Sequence, residues 1–362
     1  MLILSIPVSF LWIFAEDLLL WSGQDAEIAR LSGIYCRWML PGLIPYLLTD
    51  CMKRYLQAQG IMRAPMLTVF VTLPINCFLQ WLLVWSPLRI GPIGSFIATS
   101  FCNCLAAVLL VLYIRFSRGY ECWGGFEWKE AFDFKKILII LKLGGYGVLM
   151  ICSEWWVFEI IALAAGLLGD NYLAAQSILM NTSGYTYILP LSIASATSTR
   201  IGNALGANQA RKAERSAQAG YLLSFVFGSW NCLFLVFVSS FWGWLYSSDA
   251  DVVQIVTQVM PVVALYQIPD GMKAVGADIL RGSGRQSLGA WLNILAYYLL
   301  GLPAAFFFTF HLHWSLQGFW AGITGALTIV SVSLFAIIFY SDWEELARKA
   351  KQLVQASLED TE

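Results

Sequence analysis

The stretch that decides the fold is "DADVVQIVTQVMPVVALYQIPDGMKAVGADILRGSG", Asp249–Gly284. Its apolar run over residues 252–277 is long enough to cross a bilayer, which takes about 20 mostly apolar residues. It also has an echo, "DAEIARLSGIYCRWMLPGLIPYLLTDCMKRYLQAQG", Asp25–Gly60. "DAEIARL" and "DADVVQI" align at an offset of 224. So do "LQAQG" from Leu56 with "LRGSG" from Leu280, and Gly94 in "GPIGSF" with Gly318 in "SLQGFW". Between them Pro41 matches Pro261, and Asp50 of "DCMK" matches Asp270 of "DGMK", at an offset of 220. Five matches in order along the chain point to two related halves.

Outward from this pair, the rest of the chain reads the same way. Of 362 residues, 59% are hydrophobic and 12% charged, against about 25% charged in a soluble domain. Mean hydropathy is +0.67. The fold class is therefore all-α, a polytopic membrane protein. Ten spans are expected, near 3–22, 31–52, 65–86, 91–114, 138–168, 173–198, 217–243, 252–277, 288–310 and 316–340. They group as an N-terminal lobe of four spans over 1–116, a cytoplasmic linker over 117–137 and a six-helix lobe over 138–341. A charged cytoplasmic tail over 342–362 follows. The duplication adds an expectation. The second copy starts near residue 137, two helices before the part that matches the first copy. The first bundle is thus expected to lack two helices of a twelve-span, parallel-repeat design, with a natural ten-helix protein as the alternative.

Charge then sets the orientation. Loops near 53–64, 115–137, 199–216 and 278–287, with the tail, hold 17 Lys and Arg; the opposite set holds Arg30 and Arg89. The first set, and the C-terminus, are expected in the cytoplasm. A net charge of −1 and the lack of a long basic run exclude a nucleic-acid partner. Eight scattered cysteines contain no CxxC pair, and the two histidines, His311 and His313, share one loop, so no metal site or cofactor is expected. No span holds the His, paired-Asp or Ser–His arrangement that an intramembrane enzyme needs.

Four acids lie well inside spans, Asp50, Glu154, Glu159 and Asp270, while Glu16, Asp17 and Asp278 sit nearer span ends. An ionised carboxylate at the bilayer centre costs about 2.5–3.5 kcal/mol on insertion scales. Such a group is protonated or neutralised by a cation, and one carboxylate can exchange the two. In "CSEWWVFEII", Cys152–Ile161, Glu154 and Glu159 lie about 140° apart on a helix and cannot share a face. Glu154 shares its face with Phe158, and Glu159 with Trp155. Aromatic faces attract organic cations, which makes Trp155 and Phe158 candidate contacts. Packing or lipid exposure is the alternative for Trp155, as for Trp156. Asp270 follows Pro269, which removes a helix hydrogen bond, so Asp270 is either part of a cation seat or a partner of Lys273. Asn181 and Tyr187 are candidate neutral contacts.

"SEWWVFE", "AAQSILMNTSGYTYILPLSIASATSTRIGNALGA", "ILRGSG" and "YLQAQG" resemble the multidrug and toxic compound extrusion family, and "EWW" resembles its eukaryotic branch. The resemblance runs from that family's third helix onward. It implies a secondary active antiporter that exports organic cations, drugs or secondary metabolites in exchange for protons, with sodium the lesser choice. It implies that Glu154 and Asp270 take part in proton coupling and substrate binding, and that Glu159 matches a recurrent acid. Asn181 falls where some animal members carry a further acid. A monomer in the plasma or vacuolar membrane is expected. Two alternatives are a flippase for a lipid-linked molecule and a non-functional truncated fragment. The flippase would need a basic cavity, whereas Arg37, Lys142 and Lys273 are the only cations within spans.

Overall fold

The structure is a computed structural model and describes residues 2–21, 23, 26–85, 90–117, 119–122, 125 and 133–359. Arg89, Arg118, Lys129 and most of the expected linker lie outside the described residues, as does Asp25 of the repeat. The chain divides into two compact units, Met1–Glu127 and Trp128–Glu362.

In the first unit the opening span is broken at Phe14 into α1 (Leu2–Ile13) and α2 (Ala15–Trp21). Then come α3 (Ala26–Ala58), α4 (Arg63–Gln80) with a π turn over Trp81–Trp85, and α5 (Pro92–Phe116). Helix α3 packs along α5 and α2. Gly33 and Gly42 permit this approach, since a Cβ on Gly42 would stand 3.0 Å from the Ser100 Cα. The span-end acid Glu16 on α2 is paired with Arg37 on α3 at 2.9 Å.

The second unit holds α6 (Phe134–Gly166), α7 (Asp170–Gly206), α8 (Ala210–Trp242) and α9 (Ala250–Gly282). The next span is composite: α10 (Gln286–Ile294), a π segment (Leu295–Gly301), α11 (Leu302–Phe306) and a second π turn (Phe307–His311). It is followed by α12 (Ser315–Phe339) and the tail helix α13 (Trp343–Glu359). Helix α9 is the central element, packed on α7, α8 and α12, and 19 of its 33 residues are buried. One apolar core joins Phe158, Met260, Tyr266, Tyr297 and Trp320; another joins Ile201, Tyr221, Ile279 and Leu334 with Trp343 of the tail.

Among the described residues seven helices are long and apolar enough to cross a membrane. The other three expected spans are also helical but fall short for physical reasons. The first is split at Phe14, and α3 carries Glu27, Arg30, Arg37, Asp50, Lys53 and Arg54. Helix α7 is rich in Ser, Thr and Asn. Several of its hydroxyls are satisfied within the helix: Thr182 donates to the Ile178 carbonyl at 2.8 Å and Thr197 to that of Ile193 at 2.7 Å.

The internal repeat is visible in the backbone. Helices α3 and α9 each have 33 residues and begin 224 positions apart. Both end in the same glycine turn. Gly60 (φ 75°) and Gly284 (φ 72°) adopt the left-handed conformation that stops a helix. The amides of Ile61 and Arg285 then donate to the carbonyls of Leu56 and Leu280. This is why "LQAQG" and "LRGSG" recur. Gly94 and Gly318 face the π turns of the two halves. A Cβ on Gly94 would stand 2.9 Å from the Leu83 carbonyl oxygen, and one on Gly318 2.7 Å from the Phe308 carbonyl carbon. The register corrects one expectation. Uninterrupted α-helices with equivalent ends leave no room for a four-residue gap that opens and closes. At the offset of 224, Pro45 stands opposite Pro269 and Asp50 opposite Ala274, one turn away from Asp270.

Candidate functional site

Helix α6 directs the residues of "CSEWWVFEII" in two directions. Val157, Phe158 and Ile161 are buried in the core of the second unit, while Trp156 and Glu159 are exposed. Glu154 lies between these faces, with 14% of its side chain exposed. The separation of Glu154 from Glu159 follows from their five-residue spacing. Glu154 turns toward α9, and Glu159 does not join it.

The partner of Glu154 is Lys273 of α9, whose ammonium donates to Glu154 Oε2 in an ion pair. Lys273 is 3% exposed. The Tyr297 hydroxyl, from the π segment, donates to Glu154 Oε1 at 3.5 Å. One turn before Lys273 stands Asp270, 2% exposed, accepting a hydrogen bond at 3.3 Å from the Tyr266 hydroxyl. The alternative pairing of Asp270 with Lys273 is not formed; the lysine goes to Glu154, 119 positions earlier in the chain. With all three groups ionised, two carboxylates face one ammonium, and the cluster is one positive charge short. A proton or a small cation restores neutrality, and burial makes that requirement strong.

Above this cluster is a cavity of about 430 Å³. Glu154, Trp155, Phe158, Asn181, Tyr187 and Asp270 all line it. Six of the seven residues singled out in the sequence thus meet at one place, and Glu159 is the exception. Trp155 is 59% exposed at the cavity, and Trp156 beside it is outside. The deeper wall is aromatic. Phe158 and Tyr266 meet edge to face with centroids 6.1 Å apart, and Tyr266 and Trp320 do so at 5.4 Å. Trp320 is anchored by its indole N–H, which donates to Gln176 Oε1 at 2.9 Å. The Asn181 amide donates to the Ser177 carbonyl of its own helix at 2.9 Å. The site therefore combines acid oxygens, aromatic faces and one tethered ammonium.

Sequence reasoning missed Tyr266, Tyr297 and the role of Lys273 as the partner of Glu154. The signal for Lys273 was present, because a cation inside a span needs a buried acid. Which acid was not readable. For Tyr266 the signal was its i,i+4 spacing to Asp270 on the same helix, whereas Tyr297 had no local signal, since its partner Glu154 lies 143 positions away.

Helix α9 carries Asp270 and Lys273 together because it runs unbroken through Pro261 and Pro269. Close packing holds it: a Cβ on Gly228 of α8 would stand 3.1 Å from the Ile268 Cα, and one on Gly271 2.9 Å from the Ser224 hydroxyl.

With this geometry in hand, known proteins give a consistent picture. The MatE family profile matches residues 1–82 and 148–307. The chain is 35% identical over 353 residues to Uncharacterized transporter C4B3.13 of Schizosaccharomyces pombe, covering 97% of this chain and 65% of that protein. It therefore spans about two thirds of that relative's length. It is 36% identical over 360 residues to Protein DETOXIFICATION 16 of Arabidopsis thaliana, covering 98% of this chain and 72% of that protein. Among solved structures, the crystal structure of the eukaryotic MATE transporter AtDTX14 superposes with a TM-score of 0.89 at 31% identity, over 97% of this chain and 78% of that one. The chain belongs to the MatE family and is an integral, multi-pass membrane protein of a family of transporters rather than enzymes.

Proposed function

We propose that the chain is a secondary active antiporter that exports small organic cations or amphipathic compounds in exchange for protons. The observation that carries this reading is the cavity of the second unit. Its floor holds two carboxylates, Glu154 and Asp270, against one ammonium, and its walls are aromatic. A proton and an organic cation compete for the missing charge, and aromatic faces favour the organic one. Trp155, Phe158, Asn181 and Tyr187 are the contacts assigned to the guest. Protons are favoured over sodium because hard cations need several oxygen ligands at once, and here Lys273 already holds Glu154. Among the described residues lining this cavity there is no Lys or Arg for a phosphate-bearing substrate, which weighs against the flippase alternative. Charge asymmetry supports a cytoplasmic C-terminus, and nothing in the mechanism needs a second copy of the chain. The plasma or vacuolar membrane is the proposed location.

The test is uptake of radiolabelled tetraphenylphosphonium into proteoliposomes holding the full chain, driven by an imposed proton gradient. The expected result is gradient-dependent accumulation that Glu154→Gln abolishes while leaving the amount of inserted protein unchanged. Uptake equal to that of protein-free vesicles, or uptake unaffected by Glu154→Gln, overturns the proposal.

A further inference from the structure

Resting on the exchange reading above, we propose that Lys273 is a tethered counter-ion that moves between two acids. It occupies Glu154 when the cavity is empty and passes to Asp270 when an organic cation takes Glu154.

First, Lys273 already does at Glu154 what a cationic guest does, because its ammonium sits on Oε2 of a carboxylate that lines the cavity. A guest that binds Glu154 must displace it. Second, a displaced ammonium cannot stay unpaired in this place, where Lys273 is 3% exposed and an unpaired buried charge costs several kcal/mol. Third, among the described residues one other acid is within reach. Asp270 is the i−3 neighbour of Lys273 on α9, so the flexible four-carbon stem spans the distance by rotamer change alone. Asp270 is buried, and among the described residues the neutral Tyr266 hydroxyl is its hydrogen-bond partner, so it has capacity to accept an ammonium.

Among the described residues, the other groups facing the pair are neutral. Helix α7 brings Tyr187 and the π segment brings Tyr297. Helix α8 brings the hydroxyl of Ser224 against Gly271, and α12 brings Trp320 against Tyr266. Farther along α9, Asp278 is paired with Arg281 at 2.8 Å.

The exchange then balances. Before binding, Glu154 carboxylate holds Lys273 ammonium, and Asp270 carries a proton; the cluster is neutral. After binding, Glu154 carboxylate holds the guest cation, Asp270 carboxylate holds Lys273, and the proton of Asp270 has gone to water. One cation enters and one proton leaves, with no stage at which a buried charge stands alone. Lys273 thereby couples two acids that do not touch the same guest atom.

A double-mutant cycle tests this. Tetraphenylphosphonium binding to the purified full chain in nanodiscs is measured for the wild type, Asp270→Asn, Lys273→Met and the double variant. With Lys273 present, Asp270→Asn strands the ammonium on Glu154 and is expected to weaken binding about tenfold. With Lys273→Met the same change is expected to cost about twofold or less, and Lys273→Met alone to tighten binding, coupled sites differing by such factors. Lys273→Gln runs the same cycle should Lys273→Met melt early. Equal effects of Asp270→Asn in both backgrounds overturn the counter-ion role and leave the exporter reading standing. No saturable binding to the wild type overturns both.

Discussion

The ammonium of Lys273 and the carboxylate of Glu154, 119 positions apart in the chain, form an ion pair at the floor of a cavity of about 430 Å³. This pair ties α6 to the central helix α9, and it leaves Asp270 with a tyrosine hydroxyl as partner. Both consequences can be tested by substitution.

Glu154 and Glu159 share a helix but not a surface. Glu154→Gln removes the acid that holds Lys273, and loss of tetraphenylphosphonium exchange is expected. Glu159 is exposed and outside the cavity, so Glu159→Gln is expected to keep exchange within about twofold of wild type, as surface changes usually do. Initial rates in proteoliposomes check both.

Trp155 and Trp156 are equally exposed at 59%, yet Trp155 lines the cavity and Trp156 does not. A cation over an indole face gains about 0.5–2 kcal/mol, or roughly 2- to 30-fold in affinity. Trp155→Ala is expected to weaken tetraphenylphosphonium binding within that range. Trp156→Ala is expected to leave the dissociation constant unchanged. Equal effects of the two would remove Trp155 from the site.

Trp320 holds the aromatic wall by donating to Gln176, which is fully buried. Trp320→Phe keeps a ring but deprives Gln176 Oε1 of its donor. A loss of about 1–3 kcal/mol is expected, the cost of a buried polar group left without its hydrogen bond. Thermal unfolding in detergent measures it, with Gln176→Leu in the Trp320→Phe background expected to recover part of the loss.

Backbone contact between α8 and α9 depends on Gly228. A Cβ there would press on the Ile268 Cα and the Gln267 carbonyl oxygen, both at 3.1 Å, and neither is a flexible side-chain end. Gly228→Val is expected to lower stability by about 1–3 kcal/mol through overpacking. Gly325 on α12 has open space around it, and Gly325→Ala is expected to be neutral or stabilising. Comparison of the two melting temperatures checks the packing account.

Much of this architecture was legible because the bilayer imposes a length on apolar runs. Among the described residues the ten expected spans fall on helices, and the repeated "LQAQG" and "LRGSG" are two copies of one glycine helix stop. The π turns were not legible, because Trp81–Trp85 and Phe307–His311 carry no residue that forces them; they accompany the close approach of Gly94 and Gly318. The break at Phe14 likewise has no proline or glycine at the site. At the candidate site, residue types were readable and pairings were not. Local spacing suggested Asp270 with Lys273, but a lysine follows the carboxylate that packing brings to its ammonium, and α6 brings Glu154 there. Trp320 with Gln176 and Tyr297 with Glu154 are joined across more than a hundred residues in the same way. Asp50 was matched to Asp270 by its neighbours in sequence, whereas helix ends set the true register.

The central claim is that a proton and an organic cation replace one another at buried carboxylates. It is tested most directly by counting protons. Tetraphenylphosphonium is added to the full chain in lightly buffered nanodiscs, and the pH change is calibrated against bound ligand. About one proton released per cation bound is predicted for the wild type, with release lost in the Glu154→Gln and Asp270→Asn double variant. Saturable binding to the wild type without proton release would contradict the account.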